Sequence, residues 1–180
     1  MKELSLNILD IAENSVKAGA TLTEISIAET EEQIVLTITD DGCGMTEEIR
    51  KTVTDPFYTT RTTRKVGMGI PLLKLEAEMT GGSFNIVSTH ISQDNANHGT
   101  VVTAVFNKTH IDCVPLGDAV ESITTLIQGH PDTDFLFTHK YPGGEAILDT
   151  RELRQVLEGV PINTYEVIKW IKEYLKEQYI

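Results

Sequence analysis

The stretch DDGCGM, residues 40–45, puts two carboxylates and two glycines around a cysteine where a β-strand needs only to turn. Asp40 supplies a hydrogen-bond acceptor, and Gly42 and Gly44 leave the adjacent backbone bare of side chains. A second group lies upstream: Asp10, Asn14 and Lys17 recur at i, i+4 and i+7, stacking a carboxyl, an amide and an amine on one helical face. A third is the segment TTRTTRK, residues 59–65, which gathers Arg61, Arg64 and Lys65 with no acid among them. A fourth is GMG, residues 67–69, directly ahead of a helical pattern. Taken singly, each has a plain explanation, because Asp and Gly furnish turns and polar stripes face water. Their order along the chain is what carries information.

The elements that must position these groups can be read from periodicity. Leu4, Ile8, Leu9, Ile11, Ala12 and Val16 share one helical face, opposite the Asp10–Asn14–Lys17 stripe, and Gly19 is a left-handed cap for that helix. Alternating segments at 24–28 and 34–39 predict an antiparallel hairpin. Thr46 is a natural N-cap for a helical turn ending near Val53. Residues 54–66 lack apolar periodicity and read as a long loop. A helix follows over 69–80, with Pro71 in its first turn, then strands at 83–88 and 100–106 separated by a polar loop. Beyond residue 107 a helix is expected over 116–127, short strands at 135–138 and 146–148, and helices at 151–157 and 165–174. His139 reads as polar surface on a hairpin, imaginable as a pair with Asp149.

Composition sets bounds on function. The chain has 180 residues, 40% hydrophobic and 23% charged, with no long apolar run, which describes a globular chain without a membrane-spanning segment. Fifteen Lys and Arg against 27 Asp and Glu give a net charge of −12, which argues against a broad nucleic-acid footprint. Cys43 and Cys113, the only cysteines, are too few for a disulfide framework or zinc cage, and with no secretory leader the expectation is a cytoplasmic protein.

The ordered series Asn14 helix, DDGCGM, DPFYTTR, VGMGIPLLK, GGSFNIVS and HGTVVTAVF resembles the GHKL ATPases. That family includes histidine-kinase catalytic domains, gyrase B, MutL and the heat-shock chaperone ATPase. The resemblance covers about residues 4–107; ENSVKAGAT with DDGCGM is especially like MutL, and DPFYTTR like a histidine kinase. It implies an α/β (α+β) two-layer sandwich with a mixed, mostly antiparallel sheet and helices on one face. Residues 1–108 would form the ATP-binding domain, and residues 109–180 a small α+β extension docked on it, whose strands would extend a sheet or serve a homodimer contact.

The resemblance also implies roles and cofactors, ATP and Mg²⁺. Asn14 would coordinate the metal and Lys17 reach a phosphate. Asp40 would accept the adenine amino hydrogen, Gly42 and Gly44 would let the backbone pass the purine, and Met45 would line the pocket. Thr100 would support the base contact through its hydroxyl. Gly67, Met68 and Gly69 would open a helix toward the triphosphate, with Thr59, Thr60, Arg61, Arg64 and Lys65 as a lid. Asp10 stands where hydrolysing members carry a glutamate base, one methylene shorter, with Glu13 as a substitute carboxylate; Lys65 replaces a glycine often found there. None of the five histidines lies in an acceptor helix, so a kinase of this kind would phosphorylate another protein. The leading expectation is Mg·ATP binding coupled to phosphoryl transfer onto a partner protein or to a regulatory switch. Its rivals are a slow self-sufficient ATPase and a non-catalytic ATP-binding module.

Overall fold

The computed structural model describes residues 3–55 and 68–180. Helix α1 (Leu4–Lys17) buries Leu4, Ile8, Ile11 and Ala12, the stripe that its 3.6-residue period dictates. Gly19, at φ 77°, ends it in the left-handed region. Glu3 at its start gives no side-chain cap, and the carbonyls of Pro115 and Leu116 accept instead from the amides of Leu4 at 2.9 Å and Ser5 at 2.8 Å. Backbone from beyond residue 110 therefore satisfies donors that a helix N-terminus leaves orphaned.

β1 (Leu22–Glu29) and β2 (Gln33–Asp40) form the hairpin, in register from Thr23 opposite Asp40 to Glu29 opposite Ile34. Ile25, Ile27, Ile34, Leu36 and Ile38 all point to the same buried face, because side chains alternate along a strand. The short helix α2 (Glu47–Thr52) starts at Thr46, whose Oγ1 accepts from the Ile49 amide at 3.4 Å. After it come α3 (Gly69–Met79), β3 (Ser83–Thr89) and β4 (Gly99–Asn107). The remaining elements are α4 (Ala119–Gly129), β5 (Asp134–Tyr141), β6 (Gly144–Asp149), α5 (Thr150–Leu157) and α6 (Tyr165–Glu177).

All six strands belong to one sheet in the order β3-β4-β2-β1-β5-β6. Every pairing is antiparallel except that of β1 with β5. Helices α3, α1, α4 and α6 lie side by side across it, so the architecture is a mixed, mostly antiparallel two-layer α/β sandwich. Residues 109–180 thus continue the same sheet beyond β1, and one hydrophobic core runs from Leu4 to Leu175.

Among the differences from expectation are two element boundaries and one side-chain placement. β5 runs from Asp134 to Tyr141 rather than 135–138, because β1 and β6 pair with both its edges and hold even its polar residues extended. α4 starts at Ala119, not 116: Gly117 has φ 76°, outside helical space, and Asp118 caps the helix by accepting from the Glu121 amide at 2.9 Å. His139 is also not surface. It shares the inward face of β5 with Phe135 and Phe137 and is only 3% exposed. Its Nε2 lies 3.0 Å from Glu29 Oε2 and its Nδ1 2.9 Å from the Tyr179 hydroxyl, while Asp149 is held by Arg151.

Candidate functional site

Strand register assembles the site. Asp40, at the end of β2, stands opposite Thr100 on β4, and Thr100 stands opposite Ser88 on β3. The Ser88 and Thr100 hydroxyls are 2.8 Å apart, and Ser88 Oγ accepts from the Met45 amide at 2.7 Å. A polar row of two hydroxyls and a carboxylate therefore crosses three strands at one end of an otherwise apolar face.

Asp40 is held from two sides. Ser15 Oγ donates to its Oδ2 at 2.7 Å and the Gly42 amide to its Oδ1 at 2.9 Å. A carboxylate has about four acceptor sites, so about two remain for a ligand. The carboxylate borders a cavity of about 180 Å³, lined by Ile11, Asn14 and Ser15 of α1, its C-cap Ala18, Gly44 and Met45 after β2, Ile70 of α3, and Thr100 and Val102 of β4. This is smaller than the ~300–1,000 Å³ of pockets that enclose whole drug-sized ligands, so it suits a planar base, with the rest of a nucleotide outside.

The glycines of DDGCGM are required by the protein's own atoms. Gly44 has φ 70°, and a Cβ there would lie 2.0 Å from the Thr89 carbonyl oxygen. At Gly42 a Cβ would meet Ala18 Cβ at 2.8 Å and Asp40 Oδ1 at 3.0 Å. The close approach thus seats the turn against α1 and β3, which fixes where Asp40 points. Asp41 anchors the same turn, accepting from the Thr21 amide at 2.7 Å, the Thr21 hydroxyl and the Leu22 amide at 3.0 Å. Burial alone would raise its pKa, but these hydrogen bonds outweigh it and hold the carboxyl below its usual range.

The α1 stripe faces the start of α3. A Cβ on Gly69 would lie 3.2 Å from Asp10 Cβ, so Asp10 abuts the first turn of that helix. Burial pushes the Asp10 carboxyl above its ordinary value; Lys17 opposes the shift and Glu13 adds to it. Asn14 lines the cavity, and among the described residues its side chain makes no hydrogen bond, leaving its amide oxygen available. Glu13 is turned elsewhere, its Oε1 lying 2.8 Å from His130 Nε2 at the end of α4. Lys17 is exposed. Met68 is the N-cap of α3, no side chain caps the helix, and its first turn carries no acid. The amides of that turn and the positive end of the helix dipole suit an anion. Among the described residues no three His, Cys, Asp or Glu cluster as a metal cage, so a cation at Asn14 would take its other ligands from phosphate and water. Thr59, Thr60, Arg61, Arg64, Lys65 and Gly67, assigned to the lid, lie outside the described residues.

Sequence reasoning missed Ser15, Asp41, Ser88 and His98, whose Nδ1 lies 2.5 Å from the Gly42 carbonyl. Ser15 left a signal: it falls four residues after Ile11 on the buried stripe, where a hydroxyl needs a partner.

Comparison with known proteins places this geometry. Residues 2–110 match the family described as "Histidine kinase-, DNA gyrase B-, and HSP90-like ATPase". Sensor protein KdpD of Clostridium acetobutylicum is 30% identical over 93 residues, covering 49% of this chain and 10% of that protein. Sporulation kinase C of Bacillus subtilis is 31% identical over 99 residues, covering 48% of this chain and 23% of its own length. The chain thus matches a small part of each. The Aquifex aeolicus MutL ATPase domain, solved with ADP, shares the fold at TM-score 0.56 and 15% identity, over 88% of this chain and 70% of that one. With its family profile spanning more than half its length, the chain belongs to the histidine kinase-, DNA gyrase B- and HSP90-like ATPases.

Proposed function

We propose that the chain binds Mg·ATP at the Asp40 cavity and uses it for phosphoryl transfer to a partner protein. The observation that most supports this reading is the Asp40 carboxylate, fixed by Ser15 and Gly42 with acceptor sites left over beside a cavity of base size. Such an acceptor favours the 6-amino group of adenine and opposes the 6-oxo group of guanine, where acceptor would face acceptor. Ile11, Met45, Ile70 and Val102 would sandwich the ring, and the Ser88–Thr100 hydroxyl pair would support the base directly or through water.

The phosphates would then run toward the first turn of α3, where the amides of Gly69 and Ile70 and the helix dipole receive negative charge. Asn14 would hold Mg²⁺ through its amide oxygen, and Lys17 would reach the terminal phosphate. Bound Mg²⁺ neutralises phosphate charge and orients the transferring group. Asp10, with its raised pKa, would take a proton from the attacking group, a role for which the His130 contact makes Glu13 less suited. A second reading, a nucleotide-driven switch, is favoured by that same contact, because it ties the Asn14 helix to α4.

The test is calorimetry with ATP, a non-hydrolysable analogue and GTP, with and without Mg²⁺, on the wild-type chain and Asn14→Ala, followed by phosphate release. Mg²⁺-strengthened ATP binding, lost to Asn14→Ala only in its Mg²⁺-dependent part, is the expected result. Steady phosphate release without a partner would identify a self-sufficient ATPase instead, and absence of ATP binding would overturn the reading.

A further inference from the structure

A groove of about 530 Å³ opens between β6, α5 and α6, well apart in sequence from the Asp40 cavity. Leu148, Leu153 and Val167 form its floor and are at most 8% exposed. Its walls are open to water: Val156 is 79%, Trp170 47% and Tyr174 38% exposed. α6 already turns Val167, Ile168, Ile171 and Leu175 to the core. Trp170 and Tyr174, at i and i+4, therefore make a second apolar stripe that the fold leaves unburied, their rings stacked 4.9 Å apart. Exposed aromatics beside an apolar floor mark interaction sites rather than ordinary surface.

Charge decides what fits. Asp149, Glu152 and Glu166 line the groove, and among the described residues no lysine or arginine does. Asp149 is engaged by Arg151 at 2.8 Å, whereas Glu152 and Glu166 have no ion-pair partner among the described residues. An occupant must bring apolar side chains together with positive charge. A second copy of this groove, packed about a two-fold axis, would set these acids against their own counterparts.

We propose that the groove docks an amphipathic helical segment of a partner protein. Its aliphatic or aromatic side chains would lie against Leu153, Val156 and Trp170, and its Lys or Arg side chains would face Glu152 and Glu166. The proposal is independent of what binds at Asp40.

Trp170 is the only tryptophan, so its emission reports on the groove directly. A helical leucine/lysine peptide titrated into the full chain should shift that emission to the blue and saturate, and the leucine/glutamate counterpart should not. The double change Glu152→Lys with Glu166→Lys should weaken lysine-peptide binding about tenfold. Glu31→Lys with Glu32→Lys makes the same charge change on the exposed β1–β2 turn and should weaken it less than about twofold, since distant exposed charges are screened. Val156→Asp, at a site that solvent already wets, should abolish the shift with the melting temperature retained. Equal losses in the two charge variants, a matching shift with the glutamate peptide, or a shift that grows with protein concentration alone would each overturn the assignment, the last in favour of self-association.

Discussion

Replacing Asp40 by Asn separates the carboxylate's service to the fold from its service to a ligand. Within the protein, Asn can still accept from the Gly42 amide through Oδ1. Its NH₂ can donate to Ser15 Oγ, whose hydroxyl then turns to the Ile11 carbonyl already 3.5 Å away. No buried group is orphaned, so the stability cost should stay below about 1 kcal/mol. Toward adenine the change is larger. A charge-assisted hydrogen bond of about 1.5–3 kcal/mol is lost, and an NH₂ facing the exocyclic amine adds about 1–2 kcal/mol of mismatch, for a total of about 2.5–5 kcal/mol. Calorimetry should therefore show ATP affinity reduced by roughly two to four orders of magnitude, with the thermal midpoint nearly unchanged. Ser15→Ala keeps the charge but frees one oxygen from its anchor, and should fall between, at roughly tenfold. A folded Asp40→Asn protein that binds ATP within about threefold of wild type would refute the placement of the base.

Three further outcomes follow from contacts away from the cavity. Burial lowers the His139 pKa more than its Glu29 partner raises it, so the unfolded chain binds the extra proton first. Stability should be fully present above the ordinary value of 6.5 and decline as pH falls from there toward the folded value, and His139→Phe should flatten that slope in denaturant titrations. Gly44→Ala puts a side chain at φ 70° and 2.0 Å from the Thr89 carbonyl, and should destabilise the fold by at least about 2–3 kcal/mol in the same assay. Asp41→Ala removes the acceptor for three donors at Thr21 and Leu22, with an expected loss of about 1–3 kcal/mol. Unchanged denaturation midpoints in either variant would show that the DDGCGM turn is not seated as described.

What the sequence made legible follows from the range of the interactions involved. The α1 stripe, the hairpin, the Thr46 cap and the Gly19 stop depend on residues within about one or two turns of each other, and period or propensity alone locates them. The polar row behind the cavity does not. Ser88, Thr100 and Asp40 become neighbours only through the registers of β3 with β4 and β4 with β2, and neither strand's own pattern marks which residues will pair. The glycines show the same division. A turn is visible in the letters, but the reason Gly44 admits no side chain is a carbonyl 45 positions away at Thr89. His139 lies between these cases: it reads as hairpin surface although it alternates with Phe135 and Phe137, and its partners Glu29 and Tyr179 come from opposite ends of the chain. The physical centre of the site is therefore a consequence of sheet register. A residue such as Ser15, whose only local sign is a hydroxyl on an apolar stripe, deserves the same mutational scrutiny as the aspartate it holds.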